Sequence, residues 1–402
     1  MISIDEALNR IGGNVRPMQC ELIPCAQAVG RVLAEAALSD IDSPPHDKSM
    51  MDGFAVRSQD IEQPFATLRV VETITAGNVP QKTIHSGEAA RIMTGAPVPP
   101  GADSIVMVEH TTMQGPEVVR IDVGGLKPGH HLMRRAESIR TGDSLFDVGH
   151  CLRPHDIGVL AETGNATVQV FRQPSIAILA TGNELVDAIA RPDAGQIRNS
   201  NGPMLEALAK SHATSVTNLG IATDDVQALK AKIDSGLSHD LLLLTGGVSA
   251  GIADLVPDTL KAAGVSEIFH KVEIKPGKPI WFGVRETAER TTYVFGLPGN
   301  PVSTLVCFEI FVKACLQCLS GGKPQRTHQM AVLGNKHSVR GPRTTYWPVH
   351  VQTDQTGTLV AEPLNWKGSS DLNCLSRANA LACLGARETP FPIGSSVSVV
   401  ML

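Results

Sequence analysis

The chain has 402 residues, 42% apolar by type and only 4% aromatic, with a formal net charge of −5. That length predicts roughly two to four domains, and an acidic balance without any block of Lys or Arg argues against nucleic acid as a partner. No apolar stretch approaches the ~20 residues that span a bilayer, and Met1-Ile-Ser-Ile-Asp-Glu6 lacks the basic-then-apolar run of a secretory signal, so a cytoplasmic protein away from membranes is expected.

In chain order, Ser3-Ile-Asp-Glu6 is a capping box that starts a helix ended by Gly12-Gly13. Apolar residues at Val29, Val32 and Leu33 predict a second helix over about 26–37. A proline-led loop from Ser43 ends in Asp52-Gly53, and from about Phe54 to Ile139 short β-type runs are broken by Gly and Pro. A helix is predicted at Arg153–Glu162, with Pro154 near its start and Gly164 past its end.

From Ser175 strands and helices alternate. Strands are expected at Ile176–Leu179, near Val216, at Leu241–Leu244 and at Val294–Phe295. Helices are expected at Pro203–Ser211, Asp225–Ile233, Leu255–Ala263 and Val302–Leu319. Such β-α-β units make a parallel sheet. Gly321-Gly-Lys-Pro324 reads as a linker, after which the chain is β-rich again. Eight scattered cysteines read as free thiols, Cys315 and Cys318 as helix packing, and His130-His131 as a loop pair.

The chain is organised around the stretch from Asp240 to Pro301. Glycine turns follow the apolar runs at Thr181-Gly-Asn-Glu184, Thr245-Gly-Gly-Val-Ser-Ala-Gly-Ile-Ala-Asp254 and Gly296-Leu-Pro-Gly-Asn-Pro-Val-Ser303. Turns at strand carboxyl ends are where α/β proteins build ligand crevices. Lys275-Pro-Gly-Lys-Pro279 adds two ammonium groups beside a turn, which suits an oxyanion such as phosphate. Glu184, Asp224, Asp225 and Asp254 read either as helix caps or as carboxylates that place Mg²⁺ on a phosphorylated ligand. Neither a G-x-G-x-x-G nor a P-loop is present.

These motifs carry a resemblance. Thr181-Gly-x-Glu-Leu185, Gly195-Gln-Ile-Arg-Asn-Ser-Asn201, Gly246-Gly-Val-Ser249, the Lys275–Pro279 turn and the Gly296–Ser303 turn together are similar to the molybdopterin molybdenumtransferase family (MoeA and the gephyrin E domain). Ser49-Met-Met-Asp-Gly-Phe54, Arg91-Ile-Met-Thr-Gly-Ala-Pro97, Gly368-Ser369 and Ser376-Arg-Ala-Asn379 extend the likeness over nearly the whole chain, in the family's order. The resemblance implies an α/β multidomain fold: a split N-terminal domain (1–45 and 140–174), a small β-rich domain (46–139), a central α/β domain like the molybdopterin adenylyltransferases (175–322) and a C-terminal β-barrel (323–402). It also implies a homodimer with shared active sites, acting on adenylylated molybdopterin and molybdate to give molybdenum cofactor and AMP with a divalent cation such as Mg²⁺.

By the same resemblance Lys275, Lys278, Ser303, Arg343 and Ser369 would hold molybdate, with Pro298, Asn300 and Pro301 of the Gly296–Ser303 turn at the substrate. Glu184, Asp224 and Asp254 would act at the phosphoanhydride and hold the metal, and Asp52 and Thr94 would come from the partner subunit. Three family acids are replaced here, by Asn183, Ile252 and Ser138, so the oxyanion side is complete while the carboxylate side is thinned. Two other readings stand beside this one: an adenylyltransferase acting one step earlier, and a non-catalytic molybdopterin-binding or scaffold dimer.

Overall fold

Leu241-Leu-Leu-Leu244 has no polar side chain for either face, so it can only be an interior strand. That is its place in the computed structural model, which describes residues 1–223, 225–247, 255–324, 328–339 and 341–402. Two units are separable: Leu22–Val170, and Met1–Glu21 together with Phe171–Leu402.

The second of these contains a six-stranded sheet of β1 (Ser175–Thr181), β2 (Ser215–Ala222), β3 (Leu241–Thr245), β4 (Ser266–His270), β5 (Trp281–Glu286) and β6 (Thr291–Leu297), in the order β2-β1-β3-β6-β5-β4. The four strands expected from the sequence, β1, β2, β3 and β6, pair in parallel. β5 and β4 add antiparallel to that set. They escaped a reading tuned to strand–helix alternation, because β5 and β6 form a hairpin around the polar turn Thr287–Arg290 with no helix between them.

The helices in this unit include α1 (Ile4–Asn14), α2 (Asn201–Ala209), α3 (Val226–Gly236), α4 (Leu255–Ala262) and α5 (Pro301–Leu319). Alternate residues of each strand point to opposite faces. Ile176, Ile178, Leu241 and Leu243 therefore meet α1, α2 and α5, while Ala177, Leu179, Leu242 and Leu244 meet α3 and α4. Ser3 caps α1 by accepting from Glu6 N (3.1 Å), but the Glu6 carboxylate turns to Arg10 (2.6 Å). Ile4, Ala7, Leu8 and Ile11 share one buried stripe. α5 is apolar except for a narrow polar stripe on which Lys313 pairs with Glu309 (2.6 Å), and its middle, Phe308–Val312, is wound as a π-helix. It is the one described helix long and apolar enough to cross a bilayer, yet 89% of its most apolar window lies buried in the protein.

Asp240 stands at the head of β3. It accepts from both Arg172 guanidinium ends (3.1 Å each), from Ser175 N (2.8 Å) and from Ser175 Oγ (2.7 Å). Burial pushes its carboxyl up, but the guanidinium and the Ser175 donors outweigh that and hold it below the ordinary range. A depressed carboxylate stabilises the fold above its unfolded pKa of about 3.9, and that contribution is lost as pH falls toward the folded value. Asp240→Ala is expected to cost about 2–3 kcal/mol in urea unfolding at pH 7 and to flatten the acid limb of stability.

The C-terminal part is a closed barrel of five strands, β7 (Gln329–Leu333), β8 (Thr344–Thr353), β9 (Leu359–Pro363), β10 (Ala380–Leu384) and β11 (Ser396–Met401). They run β8-β9-β7-β11-β10 and close from β10 back to β8. Ala331, Leu333, Val349, Val351, Ala361 and Ala382 are among its buried filling.

In the unit Leu22–Val170 a six-stranded sheet is ordered Ser104–Met107, Gly53–Val56, Glu88–Ile92, Ala66–Ile74, Val118–Ile121, Thr111–Met113. Helix Pro154–Glu162 forms as expected. The helix expected over 26–37 does not form. A single 3₁₀ turn, Cys25–Gln27, is followed by extended chain, because Gly30 N, Leu33 N and Ala34 N donate to Leu152, His150 and Gln169. Tertiary pairing overrides local propensity there.

Candidate functional site

β1, β3 and β6 are neighbours and run parallel, so the turns after Thr181, Thr245 and Leu297 lie side by side at one edge of the sheet. The turns are stitched together. Thr245 Oγ1 donates to Pro298 O (3.3 Å), and Asn201, buried at the start of α2, donates to Thr245 Oγ1 (2.8 Å) and Gly299 O (2.7 Å). Gly246 has φ +89°, and a Cβ there would stand 2.3 Å from the Thr181 carbonyl oxygen, so no other residue fits.

Beside these turns is a cavity of about 460 Å³. Its wall includes Lys275, Gly277, Lys278, Pro298, Asn300, Ser303, Arg343, Lys367 and Ser369. Four of these are cations, and no carboxylate is among the described residues that line the cavity. In a chain of net charge −5 that is a local inversion of sign, which draws in an anion.

Several wall residues are positioned by nameable contacts. Ile274 and Lys275 pair with Thr344 and Thr345 at the start of β8, which brings Lys275 beside Arg343. Arg343 is itself fixed by donating to Ile274 O (3.0 Å). The Lys275–Pro279 turn closes through Ile280 N donating to Gly277 O (3.1 Å). Cys307 Sγ lies 3.6 Å from Gly277 O and is the donor, since burial raises its thiol pKa far above the usual value. A Cβ on Gly277 would stand 2.7 Å from that sulfur.

Ser369 is held by α5: its carbonyl accepts from Val302 N (3.0 Å) and its Oγ accepts from Asn300 Nδ2 (3.0 Å). With the oxygen already accepting, the Ser369 hydroxyl proton is left to donate into the cavity. Pro301 is the first residue of α5 and is not among the cavity's lining residues.

Three wall residues were missed from the sequence. Trp347 and Trp366 meet edge to face (centroids 4.9 Å), and Lys367 follows directly. Trp366 and Lys367 immediately precede the quoted Gly368-Ser369, so reading that motif two residues further would have found them.

The acids fall elsewhere. Asp52 and Thr94 belong to the unit Leu22–Val170, where Thr94 N (2.7 Å) and Thr94 Oγ1 (2.8 Å) both donate to Asp52 Oδ1. Those two bonds hold the Asp52 carboxyl below its ordinary range. Glu184 is exposed just past the end of β1, with its carboxylate folded over Gly182. It has no ion pair among the described residues, so it is available as one oxygen ligand. Asp224, Asp254 and Ile252 lie outside the described residues, among which no cluster of three metal-binding side chains occurs. Asn183 is exposed, and Ser138 N donates to Ser43 O (3.0 Å).

Comparison with known proteins decides the family. Residues 2–164 match the MoeA N-terminal region (domain I and II), 177–317 a probable molybdopterin binding domain, and 330–402 the MoeA C-terminal region (domain IV). The chain belongs to the MoeA family. It is 32% identical to the molybdopterin molybdenumtransferase of Staphylococcus aureus (strain Mu50) over 419 residues, covering 100% of this chain and 95% of that one. With the enzyme of the same name from Staphylococcus epidermidis (strain ATCC 12228) it shares 33% over 408 residues, at the same coverage. The molybdopterin biosynthesis MoeA protein of Pyrococcus horikoshii OT3 superposes with a TM-score of 0.84 at 27% identity, covering all of both chains. This MoeA family member thus carries its cation-lined cavity where α5, the Lys275–Pro279 turn and the barrel meet.

Proposed function

We propose that this chain is a molybdopterin molybdenumtransferase, which takes adenylylated molybdopterin and molybdate to molybdenum cofactor with release of AMP. The observation that carries this is the cavity walled by four cations, with no carboxylate among its described lining residues, in a chain related over its full length to enzymes of that name. Molybdate is a tetrahedral dianion and needs fixed positive charge and donor groups. Lys275, Lys278 and Arg343 supply the charge; the Ser303 and Ser369 hydroxyls supply donors. Asn300 orients Ser369, and the two tryptophans reduce the water that screens these charges.

Further parts of this reading rest on the family resemblance. The enzyme works in the cytoplasm as a homodimer, Asp52 and Thr94 of one subunit serving the other's site. Glu184, Asp224 and Asp254 hold a divalent cation such as Mg²⁺, whose charge would offset that of the substrate's phosphoanhydride. Asn183 offers an amide oxygen and Ser138 a hydroxyl where the family has acids, so cation affinity is weak and improves with nucleotide present.

The test follows AMP release from adenylylated molybdopterin and molybdate while Mg²⁺ is titrated into wild type, Asp254→Ala and Asn183→Asp. Release should depend on both molybdate and cation, fall in Asp254→Ala, and reach half-maximum at lower Mg²⁺ in Asn183→Asp. If Asp254→Ala turns over like wild type, the carboxylates are structural; if wild type releases no AMP, the chain is a binding protein.

A further inference from the structure

Trp347 belongs to two cores at once. It packs with the buried filling of the barrel, as Phe391 does, and also with Val302, Leu305 and Trp366 around the start of α5. Besides Trp366 it meets His337, in the stretch between β7 and β8, with ring centroids 4.3 Å apart and planes at 68°. The backbone pins His337 in that contact: its N donates to Phe391 O (3.0 Å) and its O accepts from Phe391 N (2.7 Å).

The His337 ring makes no hydrogen bond among the described residues, and its Nε2 is buried without a partner. Burial holds its pKa below the ordinary value, so the ring is neutral at pH 7. What it gives Trp347 is therefore shape, through an edge-to-face ring contact. Trp347 in turn is tied to the anion cavity. Leu364 O accepts from both Trp347 Nε1 (2.9 Å) and Trp366 N (2.8 Å), and Trp366 leads directly into Lys367 and Ser369 of the wall. An indole that swings gives up the shared acceptor, and the segment bearing Lys367 and Ser369 loses a fixed point.

We propose that His337 is a positioning residue for molybdate: by packing on Trp347 it holds the indole, and through Leu364 the Trp366–Ser369 segment, where the anion needs them. His337 is not among the lining residues and acts only through its neighbours. Without it the wall must be ordered when the anion enters, which weakens binding while leaving the later chemistry alone. The proposal rests on the molybdenumtransferase reading, because it presumes that the cavity holds molybdate.

The experiment measures AMP release against molybdate concentration, together with tryptophan emission, in the full-length wild type, His337→Ala and His337→Phe. Of the three tryptophans, Trp347 and Trp366 line the cavity and Trp281 is buried in the core of the central sheet, so a molybdate-dependent change in emission reports on the wall. His337→Ala should raise the half-maximal molybdate concentration about three- to tenfold, in AMP release and in emission alike. The rate at saturating molybdate should stay near that of wild type, a split that general destabilisation would not produce. His337→Phe keeps a ring and should restore the wild-type requirement. An unchanged requirement in His337→Ala, a loss confined to the saturated rate, or no recovery in His337→Phe would overturn the proposal. If His337→Ala does not fold, His337→Gln, which also lacks the ring, is held to the same expectation. Wild type that neither releases AMP nor changes emission with molybdate would overturn the molybdenumtransferase reading itself, and the proposal with it.

Discussion

Lys275→Ala and Arg343→Ala should each raise the molybdate concentration needed for half-maximal AMP release by tenfold or more, with pterin affinity little changed. The two side chains approach one another because Lys275 pairs with Thr345 at the start of β8, one strand residue after Thr344, which Arg343 precedes. A charge-assisted hydrogen bond to an anion is worth roughly 1.5–3 kcal/mol, hence the tenfold floor. Arg343→Ala also frees the Ile274 carbonyl, so it should lower the melting temperature as well. Arg343→Lys keeps the charge but loses the planar fork, and is expected to recover only part of the loss. Molybdate dependence that is the same in wild type and both alanine variants would remove these residues from the site.

Gly246→Ala should damage both fold and turnover. Its φ of +89° costs an alanine roughly 1–2 kcal/mol, and the new methyl would press on the Thr181 carbonyl at 2.3 Å. β1 and β3 must then part at their carboxyl ends, where the Asn201 bonds to Thr245 and Gly299 also converge. The total is expected to be about 2–4 kcal/mol in urea unfolding. Because catalytic geometry tolerates little displacement, turnover should fall about a hundredfold even where the protein stays folded. A folded Gly246→Ala protein with wild-type turnover would show that the turn is only a chain reversal.

The legibility of this fold in its sequence was uneven for physical reasons. β1 and β3 were readable because continuous apolar runs have few alternatives to burial. Part of the cavity wall was readable because Lys275-Pro-Gly-Lys-Pro279 and Gly296–Ser303 fix their conformation locally, through proline and glycine. What local pattern did not encode was pairing at a distance. The stretch over 26–37 has helical spacing, yet its amides go to Leu152, His150 and Gln169. The hairpin of β5 and β6 reads as two unrelated fragments until its polar turn is recognised. Trp347 was visible as a strand residue, but its role as a wall against Trp366 depends on barrel closure. Asn201 sat inside a quoted motif, and only its two bonds across the sheet edge reveal what it does.

The placement of α1 has a consequence for how the protein is made. Its apolar stripe is buried with Phe308, Phe311 and Cys315 of α5, which is encoded about 290 residues later. At roughly 5–20 residues per second, the ribosome presents that stripe for about 15–60 s before its partner exists. An isolated helix of 11 residues is marginal in water, so during this interval the segment is an exposed, sticky tether, while Leu22–Val170 has time to fold behind it. Polar substitutions at Ile4, Leu8 or Ile11 would then act in two opposing directions: they would loosen the finished core, yet make the nascent chain less prone to capture by chaperones or by neighbouring chains on the same message.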